Sequence, residues 1–367
     1  VLNKIQRVLS LTTAMVVAST AIAAAEPSAE LIAAAKKEGS LTTIALPHSW
    51  CGYGDIIAGF KSKYGIEVNE LNPDASSGDE IEAIKANKGN KGPQAPDVID
   101  VGLSFGPSSK AEGLIQPYKV STWDSIPNDA KDADGHWYGD YYGVLSFVVN
   151  TDIVKDVPKD WKDLTKSDYA NAVALAGDPR GSNQAVQAVY AAGLAAGETD
   201  PTKAGEAGLK LFADINKAGN FVPVIGKSAS LAQGSTPIVI AWDYNGLSWR
   251  DTLKGNPPLE VVVPQSGVVA GVYVQAISAF APHPNAAKLW MEYIYSDEGQ
   301  LGYLKGYCHP IRFNDLAKNN KIPKEMLDAL PPAAAYEKAK FPTLEEQDKG
   351  KTAITTKWDS VVGANVK

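Results

Sequence analysis

The sequence predicts an α/β protein of about two domains, and three observations carry that expectation. Short apolar strands alternate with amphipathic helices over the first hundred residues. A second such series begins near Val173. Between them lies an aromatic-rich extended segment, Trp137–Asn150, that fits neither a helix nor a strand–helix unit. At roughly 100–200 residues per domain, the length of 367 residues suits two cores.

Each element has a local reason. Ser28 can cap a helix running to about Lys37, with Gly39 as its stop. Leu41–Leu46 reads as a strand ending at Pro47, and Ile56, Ile57 and Phe60 set a helix that Gly65 closes. Ile66–Leu71 alternates as a strand, a loop over Asn72–Asp79 opens a helix from Glu80 to about Lys88, and Val98–Val101 is a short apolar strand. This alternation argues for a parallel sheet, in which ligands collect outside the carboxyl ends of the strands. The loops starting at Pro47, Asn72 and Gly102 are therefore the first candidates for function. Trp137–Asn150 is expected to be a strand pair. Beyond it the pattern gives a strand near Val173–Ala176, helices at Asn183–Ala195 and Lys203–Ala218, and a strand at Pro237–Trp242. Two extended runs, Leu259–Val263 and Val272–Ala279, flank a glycine-containing link, and helices at Asn285–Tyr295 and Glu298–Leu304 follow.

Composition narrows the class. With 44% apolar and 21% charged residues the chain has ordinary globular usage, which excludes a disordered tail, a collagen-like repeat and a multi-span membrane protein. A net charge of −7 and a pI near 5.3 leave no long basic face, so no nucleic-acid partner is expected. Residues 1–25 read as a secretory signal peptide: Lys4 and Arg7, an apolar run from Val8 to Ile22, then small residues, with cleavage expected after Ala25 or, second, Ala23. Ser10, Thr12, Thr13, Ser19 and Thr20 make the run too polar for a stable span, and no cysteine near the cut offers a lipid anchor. The mature chain, at −9 after losing Lys4 and Arg7, is expected to be exported to the periplasm. In an exported chain the even cysteine count favours a disulfide between Cys51 and Cys308, with two buried thiols as the alternative.

An ordered set of motifs resembles one family. The carriers are Gly65-Ile66-Glu67-Val68 after the first helix of the Pro47 loop, Ala95-Pro96-Asp97-Val98, Trp137-Tyr138-Gly139 with Tyr142-Gly143-Val144 and Val149-Asn150-Thr151-Asp152, Ala241-Trp242, Ala281-Pro282-His283-Pro284, and Ser296-Asp297-Glu298-Gly299-Gln300. Together they resemble the extracellular solute-binding proteins of bacterial ABC importers, in the branch that holds polyamine-, ferric-iron-, thiamine- and phosphonate-binding members. The resemblance implies a two-lobe periplasmic binding protein fold (type II) with two crossover strands forming a hinge. The crossovers would lie near Val144–Phe147 and Val262–Gly271, giving a discontinuous first lobe, 26–145 and 268–367, around a second lobe, 146–267. It also implies a small-molecule ligand, a membrane permease as partner, no cofactor, no enzymatic activity and a monomer.

Candidate ligand residues follow. Trp50 matches a stacking tryptophan of polyamine binders, with Tyr53 in the same loop; its alternative is packing beneath that loop. Ser104 and Phe105 occupy the loop after the third strand, and Trp242 precedes Asp243-Tyr244 in the second lobe. Tyr273 and Gln275 match an aromatic and an acid two residues apart in polyamine binders; the acid is glutamine here, which departs from that pattern. Asp178-Pro179-Arg180-Gly181-Ser182 opens a helix whose free N–H groups favour a carboxylate or phosphate, and Arg180 adds a planar cationic fork. Arg180 could equally hold Asp178 in a surface turn. Asp74 and Asp243 are candidate partners for an amine, and aromatic faces attract ammonium. Tyr307-Cys308 maps to a loop near the cleft, which would let a Cys51–Cys308 bridge brace two ligand loops. The reading is an amine-bearing solute, polyamine-like or a zwitterion of the 4-aminobutyrate type.

Two rivals remain. Ferric iron is the first, with phosphonate beside it; yet the only Tyr-Tyr is Tyr141-Tyr142 in the first crossover, and His48, His136, His283 and His309 lack ligand spacing, so no metal is expected. A serine hydrolase using Ser104 is the second, because Gly102-Leu103-Ser104-Phe105-Gly106 matches G-x-S-x-G; Pro107 is awkward for the sharp turn that motif needs.

Overall fold

The computed structural model describes residues 26–331, 334 and 336–367, so the expected signal peptide, 1–25, lies outside the described residues. Ser28 accepts the Leu31 N–H and starts α1 (Ala29–Glu38); Gly39, at φ 75°, ends it. Next come β1 (Ser40–Ile44), α2 (Tyr53–Tyr64) and β2 (Glu67–Leu71), with β1 and β2 parallel. The following helix, α3 (Ser77–Ala86), begins three residues before the expected Glu80. Ser76 and Asp79 cap one another's backbone N–H groups, and this reciprocal cap fixes the earlier start. Then follow β3 (Val98–Gly102), α4 (Phe105–Ala111) and β4 (Ile115–Gln116).

Trp137–Asn150 departs from expectation. It is not a strand pair but one strand, β5 (Tyr138–Asn150). Its first half pairs antiparallel with β9 (Ala270–Ser278), and from Leu145 it pairs with β7 (Ile238–Trp242), with β8 (Leu259–Val262) joining from Phe147. Gly143 suggests a turn in the sequence, but here it makes room for the Tyr244 ring, which a Cβ would meet at 2.5 Å. The long sheet runs β3-β9-β5-β7-β6, where β6 is Val173–Leu175. The expected parallel sheet is corrected to a mixed one. Parallel pairs remain at β1–β2 and β6–β7, while β9 returns from the second series and inserts between β3 and β5 in the opposite sense.

Helices α5 (Asn183–Ala195), α6 (Ala204–Lys217), α7 (Ser228–Gln233) and α8 (Asp243–Leu253) build the second series. After β9 come α9 (Pro284–Ile294), α10 (Asp297–Lys305), β10 (His309–Pro310), α11 (Phe313–Lys318), α12 (Lys324–Ala329) and α13 (Leu344–Val361). The Ala95–Val98 motif has a structural task. Asp97 is fully buried, and its carboxylate accepts the Thr42 N–H of β1 (2.7 Å) and the His283 N–H before α9 (2.7 Å). The last helix lies elsewhere than expected. Trp358 of α13 packs on Phe212 and Phe221, and Gln347 accepts from Gln187 of α5 at 3.0 Å, so α13 sits on α5 and α6 rather than on the first series. Its Trp358 finds its aromatic partners there. The chain reaches it along the crossover, where Lys340 bridges Val269.

Candidate ligand-binding cleft

Where the two halves face each other, the strand-end loops enclose a cavity of about 610 Å³. Trp50, Asp74, Ser76, Glu80, Asp100 and Tyr273 line one side; Asp178, Ser182, Asn183, Gln184, Lys227 and Asn245 line the other. The halves touch around its rim. Lys227 Nζ lies 2.7 Å from Asp74, the Gly78 N–H donates to the Gly181 carbonyl at 3.3 Å, and the Ser248 hydroxyl donates to the Ser49 carbonyl at 3.2 Å. The cleft is closed.

Trp50 is the best-braced wall residue. Its indole N–H donates to the Tyr141 hydroxyl at 2.7 Å, and its ring stands edge-on to Tyr244 and Tyr273 at 5.3 and 5.5 Å. The adjacent Cys51 is bonded to Cys308, with Cα atoms 5.3 Å apart, so the bridge ties this loop to the segment after α10. On the opposite side Gln184 organises the entry to α5. Its side chain donates to the Ala176 carbonyl and accepts from the Trp242 N–H (2.7 Å) and the Asn245 amide (3.0 Å). Asn183 reaches across to β3, into space that only Gly102 leaves open: a Cβ there would lie 2.0 Å from Asn183 Cγ.

The acids under the cavity are the main electrostatic feature. Asp100 Oδ2 accepts from Tyr141 (2.6 Å) and Tyr53 (2.8 Å), while its Oδ1 is buried without a partner. Burial pushes Asp100 up to about 7, with the two tyrosine hydroxyls pulling the other way. Burial likewise holds Glu80 and Asp140 well above the ordinary carboxylate range, and the nearby Asp100 charge adds to both.

Of the sequence candidates, Trp50, Asp74, Asp178, Arg180, Ser182 and Tyr273 reach the cavity lining. Arg180, however, is occupied: it forms a fork on Asp178 (2.9 Å) and donates to the Val366 carbonyl (2.9 Å), the surface-turn alternative. Asp74 is engaged by Lys227. Tyr53 and Gln275 are buried beneath the cavity, joined by a 2.8 Å hydrogen bond. Trp242 is buried behind Tyr273, to which its indole donates at 3.4 Å, and stacks on Tyr244. Asp243 turns to the hinge instead, accepting from the Val144 N–H (3.0 Å) and the Tyr336 hydroxyl (2.7 Å); burial lifts it to about 6. Ser104 and Phe105 meet Lys351, whose ammonium lies 3.2 Å from the Ser104 carbonyl and 4.4 Å from the Phe105 ring centre. The Tyr307 hydroxyl donates to Asp251 of α8 at the rim. Glu80, Asp100, Gln184, Lys227 and Asn245 are among the lining residues the sequence reading passed over. One signal was present: Asp100 interrupts the apolar run Val98–Val101, and a charge in a buried strand needs a reason. Among the described residues, Asp132, Asp134 and His136 also converge, but Lys110 Nζ lies 2.8 Å from both aspartates and stands where a cation would.

A mixed α/β sheet shared by two lobes, with strand-end loops closing over a polar and aromatic cavity, defines a two-lobe binding protein of the type II periplasmic fold. The chain belongs to the bacterial extracellular solute-binding protein family, whose model matches residues 94–338. An uncharacterized protein of Haemophilus influenzae is 29% identical over 231 residues, covering 60% of this chain and 64% of that relative, so the match spans less than two thirds of the relative's length. Among solved structures, AfuA from Actinobacillus pleuropneumoniae, with fructose-6-phosphate bound, is similar at a TM-score of 0.69 and 20% identity, covering 88% of this chain and 98% of that one. Iron-bound HitA from Pseudomonas aeruginosa is similar at a TM-score of 0.65 and 19% identity, covering 87% and 98%. At these identities the likeness concerns the fold.

Proposed function

We propose that this protein is the periplasmic receptor of an ABC importer, capturing a small amine-bearing solute that also carries an acid group and handing it to a membrane permease. It acts by binding, without catalysis. One observation carries the ligand class: Asp100, in the cavity lining, keeps a buried carboxylate oxygen with no partner among the described residues, under a wall made by Trp50 and Tyr273. An ammonium satisfies that oxygen, and the aromatic faces hold the cation and its aliphatic chain. Across the cavity, the start of α5, capped by Ser182, suits the acid group. The same fold carries a sugar phosphate in AfuA and iron in HitA, so the ligand is decided by side chains and not by architecture. We assign the first lobe to 26–145 and 268 to about 331, and the second to 146–267 together with α13, because α13 packs on α5 and α6. The signal peptide is residues 1–25.

Calorimetry of two variants tests the site, with putrescine and 4-aminobutyrate as probes. Trp50→Ala should weaken both about tenfold, the order of 1–2 kcal/mol expected for lost stacking and cation–π attraction. Arg180→Ala should affect both equally and little, since its fork is held by Asp178 and Val366. A loss confined to 4-aminobutyrate would return Arg180 to the acid site, and an unchanged Trp50→Ala would remove the aromatic wall from the account.

A further inference from the structure

Three carboxyl groups are packed under the cleft with no cation among the described residues to balance them. Glu80, Asp100 and Asp140 are 1%, 5% and 0% exposed. Tyr53 links two of them, its hydroxyl lying 2.8 Å from Asp100 Oδ2 and 3.4 Å from Asp140 Oδ2. Glu80 Oε2 accepts the Asp100 N–H at 2.9 Å. The groups facing Asp100 come from every neighbouring element: Tyr53 of α2, Glu80 of α3, Asp140 and Tyr141 of β5, Tyr273 of β9, Tyr244 of α8, Tyr295 at the end of α9 and Tyr303 of α10. All are neutral or acidic. Among the described residues no lysine, arginine or histidine contributes to the environment of any of the three acids. Three carboxylates cannot all ionise together in such a place without a cation.

We infer that solute capture is proton-coupled: an ammonium docking at Asp100 Oδ1 converts Asp100 from carboxylic acid to carboxylate, and one proton leaves to solvent. This rests on the amine reading above. Two independent observations support it. Among the described residues Oδ1 is the one Asp100 oxygen left without a partner; it is shielded from open solvent, and Asp100 itself, nine-tenths buried, is one of the residues lining the cavity. The other oxygen is already saturated by two tyrosine hydroxyls, which hold the carboxylate once it forms. The ammonium keeps its own protons throughout, so the exchange is one cation in and one proton out.

The sign follows by linkage. Burial places the Asp100 transition near neutrality, at about 7. Below that the acid must lose its proton to accept the amine, so affinity falls on the order of tenfold per pH unit between about pH 7 and 5. Above it affinity levels off. The empty protein behaves conversely: the folded value is raised, so protonated Asp100 stabilises at low pH and that stabilisation is lost as pH rises through about 7.

Calorimetry of putrescine and 4-aminobutyrate near pH 6, in two buffers of different ionisation heat, counts the protons. About one should be released per amine bound, and in Asp100→Asn none. The amide has the shape of the protonated acid, so this variant should fold. An amine that binds with no proton exchange and with affinity flat across this range overturns the proton coupling and leaves the amine reading intact. Failure of both amines to bind overturns the amine reading instead. The protonated acid is then checked in the empty protein by its infrared carboxylic band near pH 6, expected in the wild type and reduced in Asp100→Asn; an absent band overturns it.

Discussion

Gly102→Ala is expected to lower solute affinity ten- to hundredfold while leaving the melting temperature of the empty protein nearly unchanged. The new methyl would lie 2.0 Å from Asn183 Cγ and 2.3 Å from its Oδ1. The backbone on each side is held within its own half. The end of β3 is held by pairing with Tyr273 of β9 and by the Ser77 hydroxyl, which accepts the Gly102 N–H at 3.2 Å. Asn183 opens α5 directly after its Ser182 cap. The overlap is relieved by separating the halves or by turning the Asn183 side chain away from Gly102, so it opposes the closed form more than folding. An overpacked contact costs about 1–3 kcal/mol, which is that span of affinity. Gly271 repeats the design, since a Cβ there would meet the Trp242 ring at 2.1 Å. Calorimetry with scattering should find the variant weak and more open; unchanged affinity would mean that Asn183 does not approach Gly102 in the bound state.

Removing both cysteines (Cys51→Ala with Cys308→Ala) should reduce the free energy of unfolding by about 2–5 kcal/mol. The two residues are fully buried and 257 positions apart, so the bridge joins two segments of the first half and closes a long loop that takes in the second. Its effect on the site goes through Trp50, the neighbour of Cys51, whose indole must stay on Tyr141. The denaturant midpoint should fall, and affinity should fall with it as the loop loosens. A midpoint equal to wild type would show that the bridge contributes no net stability.

The legible parts of the sequence are those with written punctuation. Ser28 and Gly39 bound α1, Gly65 closes α2, Ser182 opens α5 and Ser296 opens α10, all where the residues point. β5 is not legible in this way. The segment reads as a strand pair because nothing local shows that it runs on as one strand, with Tyr244 packed against Gly143. The placement of α13 is likewise a tertiary choice, decided by Trp358 meeting Phe212 across 146 positions of chain. In the cleft, residues on strand-end loops are legible: Trp50, Asp178, Ser182 and Asp74 lie where the topology rule puts ligand contacts. Arg180 shows the limit of that rule, because its partner choice depends on Val366 at the far end of the chain. Glu80 sits in the first turn of a helix, where an acid ordinarily faces water, and only its hydrogen bond to Asp100 shows otherwise.

The central claim is that the closed cleft holds an amine-bearing solute against Asp100 and Trp50. Titration calorimetry of the mature protein tests it most directly, setting putrescine and 4-aminobutyrate against ferric citrate and fructose 6-phosphate. The account predicts saturable one-to-one binding of an amine, weakened in Asp100→Asn. Tight binding of ferric iron or the sugar phosphate with no amine bound would contradict it.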